Sequence, residues 1–170
     1  SNAFAATFTP GSGWVGAAFP YMSANLDFSG DSALNPRFTN TLNGSSNPTA
    51  TLVPEASTLT GRIAPATVIE KGGEKIGLVA ATTQIIESIS SPSGTEVKGF
   101  PTGPGANGEV DDIDLLAAQL QPIIDELIAE GVNKIILMAH LQQIGNEQLL
   151  ASKLRGVDII LAAGSNTRLG

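Results

Sequence analysis

The segment Lys134-Ile135-Ile136-Leu137-Met138-Ala139, followed after His140 by a helix-like stretch to Leu154, a stop at Gly156 and Val157-Asp158-Ile159-Ile160-Leu161-Ala162-Ala163, decides how this sequence folds. Both ends are short, β-branched apolar runs bounded by polar or glycine residues, the signature of strands. The residues between them are too many for a hairpin and have helical character, with Asn146 expected as the N-cap. Two strands joined by a helix lie parallel, in a right-handed crossover. A further strand, Lys75–Thr82, is nearly all apolar and reads as buried on both faces.

Working toward the N-terminus, Ile113, Leu116, Leu120, Ile123, Ile124, Leu127 and Ile128 recur at three- and four-residue spacing, one stripe of a helix that Gly131 ends and Pro122 is expected to kink. The acidic residues Glu109, Asp111, Asp112 and Asp114 stand at its start, where they favour the helix dipole and supply a cap. Before them, Thr67-Val68-Ile69-Glu70 and Lys75-Ile76-Gly77-Leu78-Val79-Ala80-Ala81-Thr82 flank Lys71-Gly72-Gly73, a hairpin. The expected class is therefore α/β, a mostly parallel sheet with crossover helices.

Residues 4–66 differ in kind. They are rich in Gly, Pro, Ser, Thr, Asn and Ala and carry no lysine; Tyr21–Leu26 is the clearest strand, and Phe28–Pro54 reads as a long polar excursion. Ser1-Asn2-Ala3 reads as a tag remnant. Residues 4–170 are expected to form one partial domain, loop-rich over 4–66 and regular over 67–170.

The formal charge of −7 with only nine Lys and Arg argues against binding through nucleic-acid phosphates. Zero cysteines exclude disulfides, thiolate metal sites and a thiol nucleophile. No apolar run reaches the roughly 20 residues that span a bilayer. Gly11–Gly16 and Gly103–Gly108 both fit G-x-G-x-x-G, but the first has no strand before it and the second holds Pro104 and leads into acidic residues, so neither meets the strand–turn–helix context of a dinucleotide loop. No G-x-S-x-G turn accompanies the sole histidine, His140, which rules out the usual serine-hydrolase elbow. His140 itself follows an apolar strand at the C-terminal edge of a parallel sheet, where open α/β folds gather ligand-binding and catalytic groups.

Four collinear stretches carry a family resemblance. Ile135–Leu141 resembles L-S-H-L, Gly156–Thr167 resembles G-V-D-V-I-V-G-G-H-S-H-T, Phe19–Asn25 resembles F-P-x-L-S-A-N, and Glu74–Thr83 resembles K-I-G-V-I-G-x-T. These are patterns of 5'-nucleotidase-like and alkaline-phosphatase-like metallophosphoesterases. The resemblance implies an αββα-type domain, here represented in part, and a two-metal site (Mn, Zn or Ca) hydrolysing phosphate esters such as nucleotides outside the cytoplasm, in the extracellular space or periplasm. It assigns His140 as a metal ligand and places Asn166 on a second ligand position. Gly164, without a side chain, falls on the first histidine of G-H-S-H. The family's D-x-H, G-D-x-x-D and G-N-H-E motifs find no match upstream of Phe19. Two readings follow: an enzyme whose remaining ligands lie elsewhere in a longer parent, or a degenerate extracellular binding or structural module. In either case the isolated chain is expected to be inactive, and its uncovered sheet edge is expected to pair with a second copy.

Overall fold

A computed structural model describes residues 17–42, 52–100 and 111–164. The central feature is a four-stranded sheet made of β4 (Ala66–Lys71), β5 (Glu74–Thr82), β7 (Ile135–His140) and β8 (Ile159–Ala163), which neighbour one another in that order. The pairs β5–β7 and β7–β8 are parallel and β4–β5 is antiparallel. This is the expected mixed α/β architecture. Short pairs flank it: β1 (Tyr21–Met22) runs parallel to β3 (Ile63–Ala64), and β2 (Leu26–Asp27) pairs with β6 (Glu96–Val97).

Local chemistry accounts for the elements. The β4–β5 hairpin closes between Lys71 and Glu74 through Gly72 and Gly73, both at positive φ (61° and 82°). A two-residue hairpin loop with both residues left-handed matches strand twist, and glycine adopts it without strain. After the short helix α1 (Ile86–Ile89), helix α2 (Ile113–Ala129) starts where the Asp112 carboxylate accepts the Leu115 N–H. It continues past Pro122 and is followed, after the Glu130 cap, by Gly131 at φ 83°. Helix α3 (Ile144–Lys153) begins two residues before Asn146, so Asn146 is not its N-cap; its side chain is engaged elsewhere. The strand expected over Tyr21–Leu26 is split into β1 and β2. Between them Ser23 N–H bonds to Ala64 and Ala24 N–H to Ala80, which carries the chain from one sheet to the other.

The main core lies on one face of the central sheet. Leu116, Leu120, Ile124 and Leu127 of α2 pack on Val79, Ile135, Leu137 and Ala139, joined by Leu150 of α3. Each such side chain contributes about 1.5–3 kcal/mol when removed from water. Gly77 permits the close approach: a Cβ there would stand 3.0 Å from Leu127 and 3.1 Å from Val132. Side-chain amide bonds fasten the far end, where Gln121 accepts from Arg155 N–H and donates to its carbonyl.

The opposite face corrects the sequence reading. The strand expected to be buried on both faces, Lys75–Thr82, is not: Ile76 and Leu78 are half-buried, as are Ile136 and Met138 beside them, and Ile159 and Leu161 are 50% and 53% exposed. A cavity of about 590 Å³ opens here between Phe19, Tyr21, Met22, Leu78, Met138 and Leu161. Phe19 is itself 60% exposed. Among the described residues nothing pairs with the outer edge of β8, and no helix is long and apolar enough to cross a membrane.

Leu120→Ala should lower stability by about 2–5 kcal/mol in chemical denaturation. Asp112→Ala should cost about 1 kcal/mol, the usual loss of an N-cap.

Candidate functional site

His140 is the last residue of β7 and lies on the open face. Strand parity decides this. Ile135, Leu137 and Ala139 point into the core, so Ile136, Met138 and His140 point the other way. In the ladder His140 stands between Thr82 on β5 and Ala163 on β8, at the C-terminal ends of three parallel strands.

The backbone around it is held by the loop after β5 and by side chains from the first turn of α3. Thr83 N–H donates to the His140 carbonyl at 2.9 Å. The next residue, Leu141, has its N–H bound to Glu147 Oε1 (3.1 Å) and its carbonyl bound by Asn146 Nδ2 (3.2 Å). Asn146 Nδ2 also donates to Asp111 Oδ2 at 3.0 Å. Asp111 further accepts from Thr83 Oγ1 (3.0 Å) and Gln84 N–H (2.5 Å). Asp111 therefore joins the loop after β5, the first turn of α3 and the approach to α2. The chain leaves this clamp through Gln142, a non-glycine residue at φ 67°, where L side chains are strained.

A second network lies beside it. Asn25 acts as a surrogate strand, its Oδ1 accepting Thr82 N–H and its Nδ2 donating to the Thr82 carbonyl. Ser23 Oγ is 3.0 Å from Thr82 Oγ1. Lys98 Nζ donates to the Ala24 carbonyl. Burial holds the Lys98 ammonium below its usual pKa, with Asp27 opposing that shift.

The predicted site residues separate as follows. His140 is on the sheet edge as expected; Asn166 lies outside the described residues, as do both glycine-rich stretches and Glu109. Asp112 caps α2, and Asp114 pairs with Lys153 at 2.5 Å. Asp111, Asn146 and Glu147 were not singled out for this role, because no periodicity marks a residue whose partners are backbone groups of distant loops. Among the described residues no three His, Cys, Asp or Glu side chains converge to hold a metal ion. One histidine does not fit a two-ion site, so the described residues do not complete one by themselves.

An open, mainly parallel sheet with its candidate site at the C-terminal strand edge defines the class of fold. Within that class the chain is 5'-nucleotidase-like over most of its own length, with relatives that place it among phosphoesterases. It is 29% identical over 155 residues to a 5'-nucleotidase of Diplobatis ommata, covering 91% of this chain and 20% of that protein. It is 34% identical over 116 residues to the Mus musculus 5'-nucleotidase (68% and 17%) and 32% identical over 114 residues to a snake venom 5'-nucleotidase of Crotalus adamanteus (67% and 17%). Among solved structures, the 5'-nucleotidase precursor from Thermus thermophilus superposes with a TM-score of 0.58 at 28% identity, over 89% of this chain and 22% of that one. Haemophilus influenzae NAD nucleotidase, at 22% identity and TM-score 0.52, shares the fold. No family model matches the chain. The chain spans about a fifth of the length of these relatives.

Asp111→Ala should destabilise the fold by about 1–3 kcal/mol, since it leaves buried donors without their acceptor. Faster hydrogen exchange concentrated at Thr83, Gln84 and Leu141 would identify the clamp as the cause.

Proposed function

We propose that this chain supplies one edge of the active site of a metal-dependent phosphomonoesterase of the 5'-nucleotidase type. His140 and Asn166 would be its ligands to a pair of divalent ions, Mn, Zn or Ca, with a nucleotide or related phosphate ester as substrate. The observation that carries this reading is His140, held on the exposed C-terminal edge of β7 within the segment that aligns with 5'-nucleotidases. Bound divalent ions in such sites activate a water and stabilise charge on phosphoryl oxygens. This chain's own part is narrower: it fixes one imidazole at a solvent-accessible edge and excludes water beneath it with the α2 core.

The remaining ligands lie outside the described residues, and the chain alone is expected not to turn over. Residues 4–170 are taken as one partial domain, with the polypeptide working outside the cytoplasm, as the venom relatives suggest. A second reading, a degenerate extracellular binding or structural module on the same fold, is favoured by Gly164 at a ligand position and by the lack of a converging ligand cluster among the described residues. Under either reading the exposed Ile159 and Leu161 on β8 favour pairing of two copies.

Isothermal titration with Mn²⁺ and Zn²⁺, beside His140→Ala and a p-nitrophenyl phosphate assay, tests the site. The expected result is no turnover and at most weak binding that His140→Ala abolishes. Binding unaffected by His140→Ala would remove His140 from the site, and tight, His140-dependent binding with hydrolysis would show a complete one. Light scattering should give a dimer that Leu161→Glu converts to monomer.

A further inference from the structure

We propose that Glu147 is a positioning residue for His140, fixing through one backbone bond the peptide that carries the imidazole at the end of β7. The register of β7 with both of its neighbours ends at His140, opposite Thr82 and Ala163. Two residues further the chain has left the strand, for Gln142 stands at φ 67°. The Leu141 N–H lies past the ladder, and its acceptor is Glu147 Oε1 at 3.1 Å. A carboxylate on the first turn of α3 thus takes the place of a neighbouring strand's carbonyl.

The peptide group between His140 and Leu141 is held at both polar ends. Its carbonyl accepts from Thr83 N–H and its N–H donates to Glu147. Because a peptide is planar, the two bonds fix its orientation, and with it the torsion on the carbonyl side of the His140 Cα. Of the two, only the bond to Glu147 comes from a side chain. Glu147 is 3% exposed, and its second oxygen, Oε2, is buried without a hydrogen-bond partner among the described residues. Leaving a buried carboxylate oxygen unbonded costs stability, so packing alone does not account for a glutamate here. A charged acceptor does, because it holds an N–H more strongly than a neutral one. Asp111 supports the other end of the same peptide through Thr83, and Asn146 holds the Leu141 carbonyl, one peptide further from the ring. Glu147 alone among these side chains bonds the His140–Leu141 peptide itself. This role deepens the metal-site reading and rests on it only for what the imidazole binds; the placement is a property of the folded chain.

His140 is the sequence's only histidine, so its ring resonances are unambiguous. Its Cδ2 lies so near Gly164 that a Cβ built there would stand 2.5 Å away, and metal-free protein should show a strong nuclear Overhauser effect between the ring and the Gly164 α-protons. Glu147→Gln, which keeps an acceptor oxygen, should preserve it. Glu147→Ala should reduce it by at least about half, with hydrogen exchange at Leu141 about tenfold faster. Leu120→Ala, destabilised through the core, should leave it unchanged, which separates positioning from stability. In the parent chain a coupling across the hydrogen bond, from the Leu141 amide nitrogen to the Glu147 carboxyl carbon, should be measurable whether or not Glu147→Ala folds. Absence of that coupling, an undiminished ring contact in Glu147→Ala, or an equal loss in Glu147→Gln would overturn the proposal. Zn²⁺ that shifts the His140 signals should bind Glu147→Ala about tenfold more weakly than the parent, and equal affinity would also overturn it. A parent chain whose His140 signals ignore Zn²⁺ would sink the metal-site reading alone, since the ring contact and the coupling still decide the positioning.

Discussion

The structure depends on the burial of a single helical stripe. Leu116, Leu120, Ile124 and Leu127 of α2 lie on β5 and β7 with essentially no exposure, and this contact fixes which face of the sheet is interior. Everything at the site follows from that choice. Once Ile135, Leu137 and Ala139 are committed to α2, the period-two geometry of a strand sends His140 to the other side. The core thus sets the direction of the candidate ligand, and the loop clamp around Asp111 sets its position. These are separable contributions: one comes from apolar burial, the other from hydrogen bonds to backbone groups.

The sheet is asymmetric. One face carries α2 and α3, while the other keeps an apolar surface with a cavity, and there Ile76, Leu78, Ile136, Met138, Ile159 and Leu161 stay in partial contact with water. Domains ordinarily bury a sheet's apolar face against a second layer. The relatives that share this fold are several times longer than this chain, so the same strands sit there in a larger setting. The composition of β5, β7 and β8 is that of strands with two covered faces, although only one is covered by the described residues.

Much of this was legible in the sequence, for identifiable reasons. The helix over 113–129, the Gly72-Gly73 hairpin and the β7–α3–β8 unit are each fixed by local periodicity and by residues with special backbone freedom. The four collinear motifs pointed to 5'-nucleotidases, and the relatives agree. What could not be read is tertiary. Asn146 looks like a cap because capping residues and network residues are the same types; only the fold brings Asp111 within 3.0 Å of it. The run Tyr21–Leu26 looks like one strand because its two halves pair with different partners, Ile63–Ala64 and Glu96–Val97, far along the chain. Burial of β5 on its outer face, at Ile76 and Leu78, was overestimated because hydrophobicity records what a strand is suited to meet, not what it meets in this chain.

The parity of β7 also constrains how such a sequence can diverge. A single-residue insertion or deletion within Ile135–His140 would reverse the faces of every residue beyond it, driving an imidazole into the α2 core and an aliphatic side chain to the edge. Length changes in this strand are thus lethal to site and core together, whereas a substitution at one position alters only one of them. Lineages carrying this fold can therefore change edge residues one at a time without losing the scaffold that holds them.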